Sequence, residues 1–534
     1  MKPPQLLQAD EAQLTAVVRR LEQRSLEPAD YELLKVVVGT VCYLKRVVQQ
    51  KSTSIQRLLR MIFGATTEKT SAVLNRDAEP GQAHPETPGG KPKRKGHGRR
   101  AADAYWGAEK VHVRHAQLKV GDVCPGCNKG KLHDTGRPAK LLHLHAQPPI
   151  EGKVIELEKL RCSLCGKLFS ATAPVEAGQE KYDPNVAPML AVMRYGYGMP
   201  MNRMARMQED FGVPLPAGTQ WELIYAHFQE LGQVYEEFLR HAADGELFCN
   251  DDTTVKILAI QKQIRADEAL PPDERNPRTG VFTTGIVVKN FEHTLVLFFS
   301  GRRHAGENLQ LLLDRRSPAL GTPIQMCDGL DRNVPATTTT LLGNCNTHGR
   351  RGFVDVAEAF PEECAYVLET IQQVYACDKQ AKIENLTPEQ RLALHQRLSG
   401  PLMADFKQWM EKKLESKAVE PNSSLGEAIR YELKHWEPLT LFLRVPGAPL
   451  DNNLCERVLK MAIRHRTNSL FYKTENGAHV GDVFMSLIHT CRLCHINPFA
   501  YLSTLRKHAH KLRDGPAAWM PWNYQATAAA LAGT

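Results

Sequence analysis

The sequence predicts a multidomain α+β protein. Three observations lead there: apolar residues at helical spacing through the N-terminal region, two Cys-x-x-Cys pairs further on, and then a run of short apolar segments ordered strand, strand, strand, helix, strand. The 534 residues leave room for several domains, and 42% hydrophobic residues suffice for ordinary soluble cores. Against 59 Asp/Glu stand 68 Lys/Arg, a net +9 that suits a polyanionic partner; the clustering of that charge says more than its total. The chain opens Met-Lys-Pro-Pro and soon reaches Asp10 and Glu11, so it lacks the apolar core of a secretory signal. Nor does any stretch approach the roughly 18 apolar residues that span a bilayer. A cytoplasmic protein with no membrane partner is expected, its 13 Cys present as thiols.

Residues 1–75 read as an N-terminal helical or coiled-coil region. Leu14, Val17, Val18, Leu21, then Leu34, Val37, Val38, Val41, Leu44, Val48, and later Ile55, Leu58, Leu59, Ile62 recur at helical spacing. Pairing with another subunit and an intramolecular hairpin both satisfy this pattern, because the heptads are irregular. Residues 76–104 read as a flexible basic linker: Lys91 to Arg100 holds six Lys/Arg and no acid among Pro and Gly. Lys93, Arg94, Arg99 and Arg100 are its candidate phosphate contacts.

Residues 105–175 read as a zinc-ribbon DNA-binding domain. Cys124-Pro-Gly-Cys127 and Cys162-Ser-Leu-Cys165-Gly166 deliver four thiolates in two pairs, the set that tetrahedral Zn²⁺ takes. Gly130 and Gly166 are expected to supply the positive φ that wraps backbone round the ion, and Val154, Ile155 and Leu157 the strands between. His133 and His143 are spare ligands, more readily surface residues. Residues 176–240 are helical; Met204 to Val213, a Pro-broken turn, and Thr219 to Ile224 read as a helix-turn-helix or as plain helical packing.

Residues 241–336 begin the core. Strand candidates are Leu247–Asn250, Val255–Ile260, Val281–Val288, Thr294–Ser300 and Pro323–Cys327, with a helix near Ala305–Arg316. With Thr253–Ile260 extending or bordering the first strand, this is the ribonuclease-H-like order, in which acids sit on strands one and four; here those acids are Asp251 and Asp328. Residues 337–445 read as a helical insertion, and 446–534 as the rest of the core with C-terminal helices. Cys491-Arg-Leu-Cys494-His495 spells a c-type haem signature, yet its helical pattern marks core thiols. Cys345-x-x-His348 is half a metal site with no second half nearby.

Asp451-Asn-Asn-Leu-Cys-Glu456-Arg457 is the most informative stretch. Leu454, Val458, Met461 and Ala462 make an amphipathic stripe from which Glu456 points away, one acid on a helix carrying Arg457, Lys460, Arg464, Arg466 and, beyond it, Lys473. Such an acid could hold a metal ion above a phosphate backbone. The bland alternative is a capping box, Asn453-x-x-Glu456, with an ordinary Glu456–Lys460 pair.

The block from Pro449 through Arg466-Thr-Asn468-Ser-Leu470-Phe471 resembles the C-terminal catalytic block of the bacterial insertion sequence 66 transposases. Further blocks follow in that family's order: Phe63-Gly-Ala-Thr-Thr-Glu68-Lys69, Gly96-His-Gly-Arg-Arg100, the paired Cys-x-x-Cys knuckles, Asp251-Asp-Thr, Cys327-Asp-Gly329, Cys345-x-x-His348-x-Arg350-Arg351 and Asn497-Pro-Phe-Ala-Tyr-Leu502. The resemblance covers nearly the whole chain and implies a metal-dependent DDE transposase. Asp251, Asp328 and Glu456 would be its catalytic metal ligands, for Mg²⁺ or Mn²⁺, with Asp252 the alternative on the first strand. It also makes His348, Arg350 and Arg351 candidates for active-site support or DNA contact, a buried polar helix face being the other reading. The implied partners are element terminal inverted repeats and target DNA, further copies of the chain on DNA, and small accessory proteins. The competing expectation is a catalytically silent, zinc-containing DNA-binding descendant of such an enzyme.

Overall fold

The structure, a computed structural model, describes residues 11–23, 25–37, 70–73, 116–133, 149–161, 163, 168–172, 174 and 180–532 apart from 272, 276, 277 and 291. The chain divides into two compact units, 79–151 and the remainder. In the smaller unit, Cys124 and Cys127 sit on a tight turn closed by the Val123–Lys131 bridge. The Cys124 N–H donates to the Gly130 carbonyl at 2.7 Å. The left-handed residue of this turn is Asn128 (φ 52°), not the expected Gly130; Asn is the residue after Gly that most readily accepts that conformation. The linker residues Lys93, Arg94, Arg99 and Arg100, together with Cys162, Cys165 and Gly166, lie outside the described residues.

In the larger unit, α1 (Glu11–Glu22), a helical stretch at 28–37 and the single turn Thr70–Val73 are the described helical parts of the expected N-terminal region. A short antiparallel hairpin, β1 (Lys159–Arg161) and β2 (Leu168–Ser170), lies just after the Val154–Leu157 segment expected to be strand, which is irregular. Four helices follow: α2 (Val186–Ala191), α3 (Met201–Asp210), α4 (Ala217–Glu230) and α5 (Gly232–Ala243). The α3–α4 connection turns at Gly212 (φ 74°).

The core is a five-stranded mixed sheet: β3 (Leu247–Thr254), β4 (Phe282–Lys289), β5 (Thr294–Gly301), β6 (Ile324–Cys327) and β7 (Leu341–Asn344), in the order β5-β4-β3-β6-β7. β3, β4 and β5 are antiparallel neighbours; β6 runs parallel to β3, and β7 parallel to β6. Near-continuous apolar runs such as Ile286-Val-Val and Leu295-Val-Leu-Phe are buried because helices cover the sheet. Two expectations are corrected. Val255–Ile260 is not a strand: Ile257 makes one bridge to Tyr472, and α6 (Leu258–Glu268) begins at once, since the short apolar run leads into the strong helix formers Gln261 to Ala266. β7 falls inside the stretch assigned to the insertion. It is four residues long and carries Gly343, where an added Cβ would meet the Met326 side chain at 2.9 Å, so it shows no alternating pattern.

The remaining helices are α7 (Ala305–Leu313), then the insertion α8 (Asn346–Val356), α9 (Pro361–Ile383), α10 (Pro388–Glu415), α11 (Ser424–Lys434) and α12 (Trp436–Leu439), and after it α13 (Asn453–Ser469), α14 (Glu475–Leu493), α15 (Pro498–Lys507) and α16 (Tyr524–Ala532). α14 closes the open edge of β5. Its Thr490, Ser486 and Asp482 side chains accept the Val296, Phe298 and Ser300 N–H groups at 2.9, 3.0 and 2.7 Å. The match is metric: four helical residues rise about 6 Å and two strand residues about 6.6 Å. An edge that could recruit another strand is thereby satisfied. Cys491 is buried in this helix and Cys494 half-buried just past it, as core thiols.

Candidate active site

Asp251 lies on β3 directly across from Gly285 of β4. Directly opposed residues share a face, and on that face α13 descends to the sheet. A Cβ on Gly285 would meet the Leu459 side chain at 2.9 Å, and the Cys455 thiol donates to the Gly285 carbonyl at 3.2 Å. Glycine at 285 therefore permits the close seat of the helix that carries Glu456. The pairing of Cys249 with Met326, continued two residues, sets Asp328 beside Asp251, where β6 has just ended. Asp328 Oδ1 accepts the Leu330 N–H at 3.1 Å and the Asn333 amide.

Asp328 and Glu456 both lie close enough to Asp251 for their charges to bear on its carboxyl. Burial, followed by the charges of Asp328, Asp252 and Glu456, pushes Asp251 up to about 7, although the Asp252 N–H donates to its Oδ1 at 2.8 Å. Glu456 does not cap α13. The residue before the helix is Asn452, which makes no side-chain cap, and the Glu456 Oε1 is buried without a hydrogen-bond partner. Carboxylate oxygens that repel one another, one of them without a donor, are the hard kind of ligand that suits Mg²⁺ or Mn²⁺. Asp252, by contrast, faces the other way. Its Oδ1 accepts from Thr284 Oγ1 at 2.6 Å, and its Oδ2 meets the Ala305 N–H at 3.0 Å and His304 Nδ1 at 3.3 Å. With one oxygen engaged by β4 and the other at the start of α7, it is turned away from Asp251 and Asp328.

A buried amide network that the sequence reading missed sets these positions. Asn250 Nδ2 and Gln325 Nε2 both donate to the Asn333 carbonyl at 2.8 Å, Gln325 Nε2 also reaches Asn250 Oδ1 at 2.9 Å, and Asn452 Nδ2 donates to the Asn250 carbonyl at 3.0 Å. It links the residue before Asp251, the residue that holds Asp328 and the start of the Glu456 helix. Asn250 and Asn452 adjoin recognised motifs, but asparagine there reads as an ordinary turn or cap residue, so no local signal marks them. From the insertion, α11 places Tyr431 and His435 against Gly329, next to Asp328.

The basic residues divide. Arg457, Lys460 and Arg464 are exposed along α13. Arg466 is tied down, its guanidinium donating to Thr253 Oγ1 at 3.2 Å, Thr254 Oγ1 at 2.8 Å and the Thr254 carbonyl. His348, Arg350 and Arg351 lie on α8, all half-buried, and His348 Nδ1 stands 3.8 Å from Glu456 Oε1. In the smaller unit, the Gly130 and Lys129 N–H groups and the Cys124 thiol hold Cys127 below the ordinary thiol range.

A mixed sheet that gathers acids at two strands and a helix start, beside exposed bases, has the charge pattern of a protein that handles divalent ions against a polyanion. The chain belongs to the Transposase IS66 family, which its residues 180–480 match. Membership implies DNA as partner and the use of divalent metal. The chain is similar to three uncharacterized proteins of Sinorhizobium fredii (strain NBRC 101917 / NGR234). It is 25% identical to y4hP over 431 residues, covering 76% of this chain and 74% of that one. It is 23% identical to y4jD over 520 residues, covering 90% and 96%. To y4qI it is 26% identical over 342 residues, covering 63% and 61%. No solved structure matches it. Among the described residues no helix is long and apolar enough to cross a membrane.

Proposed function

We propose that the chain is a DDE-type transposase that binds insertion-element ends, cleaves phosphodiester bonds there and transfers the resulting 3′-hydroxyl to target DNA. The core is read as ribonuclease-H-like, since three antiparallel strands, a crossover helix and two parallel strands follow one another along the chain and pair in the sheet order β5-β4-β3-β6-β7. What supports the reading is the strand register that sets Asp251 beside Asp328, the seat of the Glu456 helix on Gly285 across from Asp251, and the raised Asp251 carboxyl, which burial and then the charges of Asp328 and Glu456 push up. Asp251 from within β3 and Asp328 from just past β6 would hold ions, and Glu456 would hold one from α13. Bound divalent ions supply activation of the attacking oxygen and stabilisation of the leaving oxyanion. The protein's own part is positional: the amide network keeps the carboxylates in register, and Arg457, Lys460 and Arg464 take phosphates beside them. The paired Cys-x-x-Cys segments, read as a zinc ribbon, the linker and the α3–α4 pair would contribute further DNA contacts.

The test is incubation of the protein, with any accessory proteins supplied, with DNA carrying the inverted repeats that flank its gene. Mg²⁺-dependent nicking at the repeat ends that stops on chelation is expected. Binding without nicking under Mg²⁺ and Mn²⁺ would instead identify a silent DNA-binding descendant.

A further inference from the structure

We propose that Cys345, His348 and Glu456 form a second metal site, for a borderline-soft divalent ion of the zinc class. The sequence offered only half of it; the fold brings the other half from α13. Cys345 leaves β7 with its N–H on the Cys327 carbonyl at 2.9 Å and stands immediately before α8, and His348 lies in the first turn of that helix. The Asn452 N–H donates to Cys345 Sγ at 3.2 Å, so the start of α13 is fastened to the sulfur, and Glu456 follows one turn on.

The sulfur, one imidazole nitrogen and one carboxylate oxygen all lie within 4.8 Å of one another. Zinc bonds of about 2.0–2.3 Å in a tetrahedron separate donors by about 3.3–3.8 Å. The His348 Nδ1 to Glu456 Oε1 distance of 3.8 Å is a few tenths of an ångström wider than nitrogen and oxygen donors at about 2.0–2.2 Å would take, a gap that a small side-chain shift closes. Both of those atoms are buried and lack a hydrogen-bond partner, an arrangement native structures rarely leave without an ion or water. A thiolate, an imidazole and a carboxylate together select zinc-like ions over Mg²⁺, leaving a fourth position for water or a phosphate oxygen. Burial pushes the Cys345 thiol up to about 11, although neighbouring N–H groups, that of Asn452 first, favour its thiolate, so the ion must displace a proton. The site itself stands apart from the transposition reading. Only its sharing of Glu456 with Asp251 and Asp328 rests on that reading.

Full-length protein, stripped with chelator, is titrated with Co²⁺ as a spectroscopic stand-in for Zn²⁺, beside elemental analysis after Zn²⁺ reconstitution. Wild type is expected to take one equivalent more than Cys345→Ser or His348→Gln, over and above the ion assigned to Cys124, Cys127, Cys162 and Cys165. The wild type minus Cys345→Ser difference spectrum should contain thiolate-to-cobalt absorption. His348 is half-buried, so His348→Gln decides the matter should Cys345→Ser fail to fold. Equal equivalents in wild type and His348→Gln would overturn the proposal and leave an ordinary His–Glu contact. Asp328→Asn lies outside the trio and should keep the extra equivalent whether or not it cleaves DNA, so the two readings fail separately.

Discussion

At Asp251, folding works against the ionised side chain: burial and neighbouring acids raise it to about 7, against an ordinary carboxylate near 4. The folded protein therefore holds that proton more tightly than the unfolded chain. Stability is lost as pH rises from about 4 to about 7 and stays low above it. Glu432, raised by burial to about 8, and Asp482, raised by burial to about 7, act in the same direction, so the contribution of Asp251 must be read as a difference. Metal-free Asp251→Asn is expected to melt above wild type at pH 8, by on the order of 1–2 kcal/mol, with the gap closing towards pH 4. Mg²⁺ should raise the melting temperature of wild type and not of the variant. A gap that stays constant with pH would mean that the carboxyl does not carry this burden.

At the scale of the element, α13 carries the site, and two of its features can be tested. Gly285→Ala drives a methyl group into Leu459, so a cost of about 1–3 kcal/mol in denaturant unfolding is expected, together with weaker cleavage because Glu456 is lifted from the sheet. An unchanged midpoint would show that the helix can move aside freely. Lys460 and Arg464 face solvent, and replacing both by Ala should weaken DNA binding across sequences and lower the salt slope by about 2. A change confined to sequence preference would mean that α13 reads bases. Much of this helix was legible in advance, because Val458, Met461 and Ala462 fall on the buried stripe that the spacing predicts. What hid was its tertiary role: the spacing of Asn453 and Glu456 looks like a cap, and only the seat of Asn452 on Asn250 and Cys345 shows why Glu456 is instead turned towards His348 and Asp251.

Over the whole molecule, strands with long apolar runs, β4 and β5, could be read from the sequence, whereas β3 runs on through Asp251 to Thr254, past its expected end at Asn250. The fifth strand could not, being four residues around a glycine that serves close packing. Nor could the sheltering of the β5 edge, where Asp482, Ser486 and Thr490 look like a polar helix face until β5 is set against them. The amide network was equally invisible, since its members come together only when four separate segments fold. The account as a whole holds that these segments fold in order to gather three carboxylates for metal-dependent strand transfer. Asp328→Asn tests this most directly, since it keeps the side chain's size and its contact with Asn333 while removing the charge that faces Asp251. Cleavage and strand transfer of end-containing DNA are measured with Mg²⁺ beside binding of the same DNA. Cleavage should fall by at least about 100-fold while binding is unchanged or slightly tighter. Cleavage at the wild-type rate in Asp328→Asn would contradict the account.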